Sequence, residues 1–124
     1  MPNEQGFAKA ETQCQRYHGE HLAAIHDSFV NTVISQKASK YFDGGITDFW
    51  LGGNNLNSEN TWAWTDGSIF DFSDWARGQP SNRTGHNCVS LSMNNGYWSS
   101  QDCSKFKPYV CLISSGSASA TTTT

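Results

Sequence analysis

Apolar residues recur at a helical spacing near the start of the chain. Phe7, Ala10, Cys14 and Tyr17 stand at i, i+3, i+7 and i+10, one face of a helix over 7–17. Gly19 follows His18 where a glycine ends a helix. A short apolar run comes next, Leu22-Ala23-Ala24-Ile25. Asp27 or Ser28 then caps a second helix. Phe29, Val30, Val33 and Ile34 are expected to form its buried face, and it fades around Lys40 before the breaker Asp43-Gly44-Gly45.

Beyond that point the period changes. Phe49-Trp50-Leu51-Gly52 predicts a short strand, and 54–60 predicts a polar loop. Thr61-Trp62-Ala63-Trp64-Thr65 alternates with period two, as a half-buried strand does, and Asp66-Gly67 predicts a turn. Cys88-Val89-Ser90-Leu91-Ser92 is a strand, Asn95-Gly96 a hairpin-type turn, and Tyr97-Trp98 the start of the return strand. Tyr109 to Ile113 forms the last strand. Helices first and short strands afterwards argue an α+β fold. Residues 68–87 stay irregular, and a loop of that length in a compact domain is usually functional or disordered. This one carries Trp75 and ends at Cys88, so an ordered loop is expected.

The 124 residues support one domain, assigned to 1–113. The tail 114–124 holds only Ser, Gly, Ala and Thr, which cannot bury a core, so it is expected to be disordered. Net charge is −3 with no basic block, which argues against nucleic acid as a partner. No apolar run is long enough for a bilayer, so membrane insertion is not expected. Pro2-Asn3-Glu4-Gln5-Gly6 after Met1 is not a secretory leader, so a secreted chain would be one whose leader has been removed. The cysteines, Cys14, Cys88, Cys103 and Cys111, include no C-x-x-C pair. They lack zinc-ribbon and redox spacing and predict disulfides in an oxidising, extracellular compartment, with three connectivities open.

In order along the chain, these pieces resemble the C-type lectin-like family. Phe7-x-x-Ala10-x-x-x-Cys14 resembles its first-helix motif, His21-Leu22-Ala23-x-Ile25 its following turn, and Trp50-Leu51-Gly52-Gly53 its "WIGL" strand. Trp62-x-Trp64-x-Asp66-Gly67-Ser68 matches "WxWxDGS", and Trp75-x-x-Gly78-Gln79-Pro80 the long-loop "WxxGxP". Asn87-Cys88-Val89, Trp98 before Cys103, and Tyr109-Val110-Cys111 complete the series. The resemblance implies a C-type lectin-like fold: two helices, short antiparallel sheets, a long loop region and the two disulfides Cys14–Cys111 and Cys88–Cys103. The family also places a strand before the first helix, paired with the last strand. Only Met1 to Gly6 are there to supply it, and an unpaired last strand would invite a homodimer.

Calcium-dependent members of the family take acidic and amide ligands from the long loop and the strand after it. Transferred position by position, the set is Gln79, Ser81, His86, Ser99 and Ser100, with no carboxylate. Calcium takes six to eight oxygens, several of them anionic, so no metal or cofactor is expected. Glu59, Asn55, Asn82 and Asn87 stand at the auxiliary site with one acid among them. Asn82-Arg83-Thr84 is also an N-glycosylation sequon. The likeness is to secreted, nematode-type members with degraded calcium motifs.

Other chemistry is thin. His18 and His21 straddle a helix end and need not converge, and no serine occupies G-x-S-x-G. Asp66, Asp71 and Asp74 read as turn residues, and Trp75 as core. No catalytic residue is assigned. The resulting expectation is a secreted recognition module, not an enzyme. Its partner would be a glycan or a host or self glycoprotein, met by Gln79, Ser81, Asn82, His86, Asn87, Ser99 and Ser100. The alternative is a protein–protein interaction domain with no carbohydrate binding.

Overall fold

A computed structural model describes residues 6–42, 45–57, 61–81 and 83–112, apart from the side chains of residues 17 and 18. The expected tail 114–124, the start of the chain through residue 5, Glu59 and the sequon residue Asn82 lie outside the described residues.

The element order is α1 (Phe7–His18), β1 (His21–Leu22), α2 (Ser28–Tyr41), β2 (Asp48–Asn54), β3 (Ala63–Trp64), β4 (His86–Ser92), β5 (Trp98–Asp102) and β6 (Cys111–Leu112). Helix α1 ends at Gly19, which takes a left-handed conformation (φ 63°) and returns its N–H to Gln15. Helix α2 starts at Asp27, whose carboxylate accepts the N–H of Val30 at 2.8 Å. Two antiparallel sheets follow: β1 with β6, and a four-stranded sheet in the order β3-β2-β4-β5. The last strand therefore has a partner, β1, which pairs His21 with Leu112 and Leu22 with Cys111.

Strand β2 is buried on both faces, which is why its sequence reads as a continuous apolar run. Phe49 and Leu51 enter the cluster under α2 with Ile34, Ala38, Val89, Leu91 and Trp98. Trp50 points the other way, to Phe7, Ala10, Leu22 and Tyr109 beside α1. The chain is drawn tight there: a Cβ on Gly52 would stand 2.7 Å from the carbonyl oxygen of Leu22. Disulfide Cys14–Cys111 ties α1 to β6, and Cys88–Cys103 ties β4 to the segment after β5. These are the two pairings implied by the family resemblance.

Some sequence expectations change. The last strand, expected from Tyr109 to Ile113, runs over Cys111–Leu112, with residue 113 outside the described residues. Phe29 is 75% exposed, not buried. Of the other expected positions Ile34 is buried and Val30 packs against the core, and Asn31 and Ala38 join Ile34 on the inner face of α2 at i, i+3 and i+7, with an asparagine in an apolar slot. The expected strand at 61–65 shortens to Ala63–Trp64, because only Gly53 and Asn54 of β2 are there to pair with it.

Candidate functional site

The long loop covers the outer edge of β5 by continuing its hydrogen-bond ladder. Trp98 N donates to Asp74 O at 2.9 Å, and Ala76 N donates to Trp98 O at 2.8 Å. At Gly78 (φ 81°) and the cis Gln79–Pro80 bond the loop backbone turns away from the strand. The Gln79 side chain then does what the backbone no longer can. Its Oε1 accepts the N–H of Ser100 at 3.0 Å, the Ser100 hydroxyl at 3.2 Å and the N–H of Ser81 at 3.1 Å. Ser81 N also donates to Ser100 Oγ at 2.7 Å, which leaves the hydroxyl hydrogen free to point at Gln79. Ser100 is 1% exposed, so a neutral knot of amide and hydroxyl closes the loop on the strand.

The other expected residues separate. Ser99 faces away from Ser100, as strand alternation requires, and accepts from Gln101 Nε2 at 2.8 Å beside Ser90. Ser81 Oγ accepts the N–H of Arg83, and Arg83 O accepts the N–H of His86. His86 lies opposite Asp102 in the β4–β5 ladder. The carboxylate of Asp102 is held below its ordinary range by the Ser104 N–H and hydroxyl that donate to it. Asn87 joins the site through its backbone, accepting the N–H of Asn55 at 3.0 Å. Thus Gln79, Ser81 and Ser100 form one unit, His86 and Asn87 flank it, and Ser99 lies on the far face.

This donor set does not fit a calcium ion. The lone pairs of Gln79 Oε1 are already directed at N–H and O–H donors, and the chain has no Asp or Glu between Asp74 and Asp102. Among the described residues, no three His, Cys, Asp or Glu side chains converge as a metal site.

Behind the loop stands Trp98, fully buried, with Trp64, Phe72 and Trp75 edge-on to its ring at 5.5, 5.8 and 5.8 Å. Its indole N–H donates to Asn31 Oδ1 at 2.7 Å. Asn31 Nδ2 donates in turn to Gly96 O and to Asp74 Oδ2. One buried asparagine thus ties α2 to the β4–β5 turn and to the loop. Its signal in the sequence was position alone, three residues before Ile34. Burial pushes the Asp74 carboxyl upward. Trp75 packs half-buried between Trp98 and Trp62.

Asp71 is more than a turn residue. His26 Nδ1 lies 2.7 Å from Asp71 Oδ1, and His26 Nε2 lies 3.0 Å from Ser68 Oγ. The order resembles a hydrolase triad, but the Ser68 hydroxyl donates to Asp66 Oδ1. Its hydrogen is therefore not directed at the imidazole, which leaves the serine unactivated. His26 instead lowers the Asp71 carboxyl and fastens the loop to the segment before α2. His21 faces Glu11 on α1.

A family model for the lectin C-type domain matches residues 3–113. Human Proteoglycan 3 is 39% identical over 108 residues, which cover 85% of this chain and 46% of the relative. A lectin of Pleurodeles waltl is 31% identical over 114 residues, covering 90% of this chain and 66% of the relative. The chain thus spans between about half and two thirds of these relatives. The solved carbohydrate-recognition domain of the mouse scavenger receptor C-type lectin superimposes with a TM-score of 0.77 at 27% identity, covering 88% of this chain and 80% of that one. These relatives are vertebrate and do not bear on the nematode-type likeness. From residue 3 to residue 113, the chain belongs to the C-type lectin domain family.

Proposed function

We propose that this chain is a secreted recognition module that binds a glycan, free or on a glycoprotein, without calcium and without catalysis. The contact surface is the 79–87 loop with the exposed part of β5. The observation that carries this reading is the knot of Gln79, Ser81 and Ser100, which closes the loop on β5 through hydrogen bonds between neutral groups. The similarity to a solved carbohydrate-recognition domain supports the glycan, and the disulfides support an extracellular setting.

The test is a glycan array probed in calcium and in chelator. An N-glycan at Asn82 would cover the same loop, so the protein is probed glycosylated and enzymatically deglycosylated. Glycan binding indifferent to chelator supports the proposal. Binding abolished by chelator overturns its calcium-independence. No binding to any glycan favours the second reading, a protein-interaction domain. The exposed Phe29, Ile69 and Phe106, at 75%, 77% and 70%, are the observation that favours that reading. Light scattering on the same sample reads out a homodimer.

A further inference from the structure

The chain as a whole is acidic, with a net charge of −3, yet its long loop is not. The loop, 68–87, sets Asp71 and Asp74 against Arg77 and Arg83, and from Trp75 to Gln101 the chain carries Arg77, Arg83 and His86 and no acidic residue. Both arginines are exposed. The ion pairs among the described residues involve His21, His26 and Lys107, so neither guanidinium is neutralised by one of them. Both backbones are tied to the knot. Arg77 lies in the turn closed by Gln79 N on Ala76 O, and Arg83 N donates to Ser81 Oγ. Of the acids that bound the stretch, Asp102 faces His86 in the β4–β5 ladder and is not paired with either arginine by an ion pair among the described residues. Asp74 accepts from Asn31 at 3.1 Å, and Asp102 accepts from Ser104.

We infer that this loop takes an acidic glycan, whose sulfate or carboxylate groups are held by Arg77 and Arg83. The inference rests on the reading of the loop as a glycan site and names the chemical class of that glycan. A planar guanidinium is weakly hydrated and offers paired N–H donors that match the oxygens of a sulfate or a carboxylate. The same lack of carboxylates that makes the loop beyond Trp75 a poor host for a cation makes it a good one for an anion. The Nε2 of Gln79, which has no hydrogen-bond acceptor among the described residues, and the hydroxyl hydrogen of Ser81 lie between the arginines in sequence and are neutral partners for ring hydroxyls.

The experiment measures binding in chelator of a heparin-derived oligosaccharide, a sialylated oligosaccharide and a neutral oligomannose, at low and high salt. Binding of one or both acidic probes over the neutral one, weakening with salt, is expected. Arg77→Gln and Arg83→Gln should each weaken the acidic probe about tenfold, the loss of one charge-assisted contact. Lys9→Gln, on the exposed side of α1, should not. The heparin and sialyl arms separate sulfate from carboxylate. If neutral and acidic probes bind alike and the arginine variants change nothing, the inference fails while the glycan reading stands. If the double variant still holds heparin, the contact is diffuse polyanion attraction and the inference fails. If no glycan of any class binds, both fail.

Discussion

Replacing Gln79 by methionine keeps the length and shape of the side chain and removes its oxygen. In the native loop that oxygen accepts Ser100 N, Ser100 Oγ and Ser81 N. Two of the three donors have a way out. Ser81 N retains its 2.7 Å bond to Ser100 Oγ, and the Ser100 hydroxyl can rotate. Ser100 N cannot move, because it is backbone in β5 of a residue that is 1% exposed. One orphaned, buried N–H costs about 1–3 kcal/mol, so Gln79→Met should lose about 2 kcal/mol. For a domain of this size that is a fall in the melting midpoint of roughly 8 °C. Gln79→Glu is the control. Its carboxylate accepts the same N–H groups, so the loss should stay below about 1 kcal/mol. The assay is urea unfolding followed by tryptophan fluorescence with both disulfides intact, which reports midpoint and slope separately. If Gln79→Met unfolds within about 0.5 kcal/mol of the parent at unchanged slope, the knot does not close the loop.

Other outcomes follow from the same geometry. Millimolar calcium should leave the melting midpoint unmoved and chelator should change nothing. A ligand at a hundredfold excess over its Kd would add about 2.7 kcal/mol, so a reversible rise of several degrees would reveal an unrecognised site. Ser100→Asp buries a carboxylate against the oxygen of Gln79 and should cost about 3 kcal/mol or more in a denaturant melt. A neutral effect would mean that water reaches position 100. Asp74 has its carboxyl raised by burial, so its ionised form is the disfavoured one in the folded state. The stability it contributes is present below the unfolded carboxyl range and is lost as pH rises through the folded value. Asp74→Asn keeps an acceptor for Asn31 and should therefore be more stable than the parent at pH 7 but not at pH 3. Equal gains at both pH values in urea melts would contradict this.

Long-range placement was where the sequence reading failed. Phe29 looked like core because it is large and apolar, but on a helix the inner face is set by the partner, and the sheet beneath α2 receives Asn31, Ile34 and Ala38. Asn31 gave no composition signal, since its worth depends on Trp98, Gly96 and Asp74, all distant in sequence. The same holds for Asp71, a turn residue by type and the partner of His26 by position. Ser99 and Ser100 were equivalent as neighbours in a string, and pleating alone sends them to opposite faces.

By itself the sequence determined what is local or periodic. The helix spacing of Phe7, Ala10 and Cys14, the Asp27 cap and the Gly19 stop each depend on residues within a turn or two. The lack of acid between Asp74 and Asp102, which leaves the loop beyond Trp75 without a carboxylate, is likewise a property of the string. The order of the motifs implied the disulfide pairing, and the fold placed those sulfurs together. Tertiary structure alone decided that Gln79 faces hydrogen-bond donors. Side-chain oxygens are neutral acceptors or metal ligands according to what surrounds them. Here the surroundings, Ser81 N and Ser100 N, come from a turn and a strand brought together only by folding.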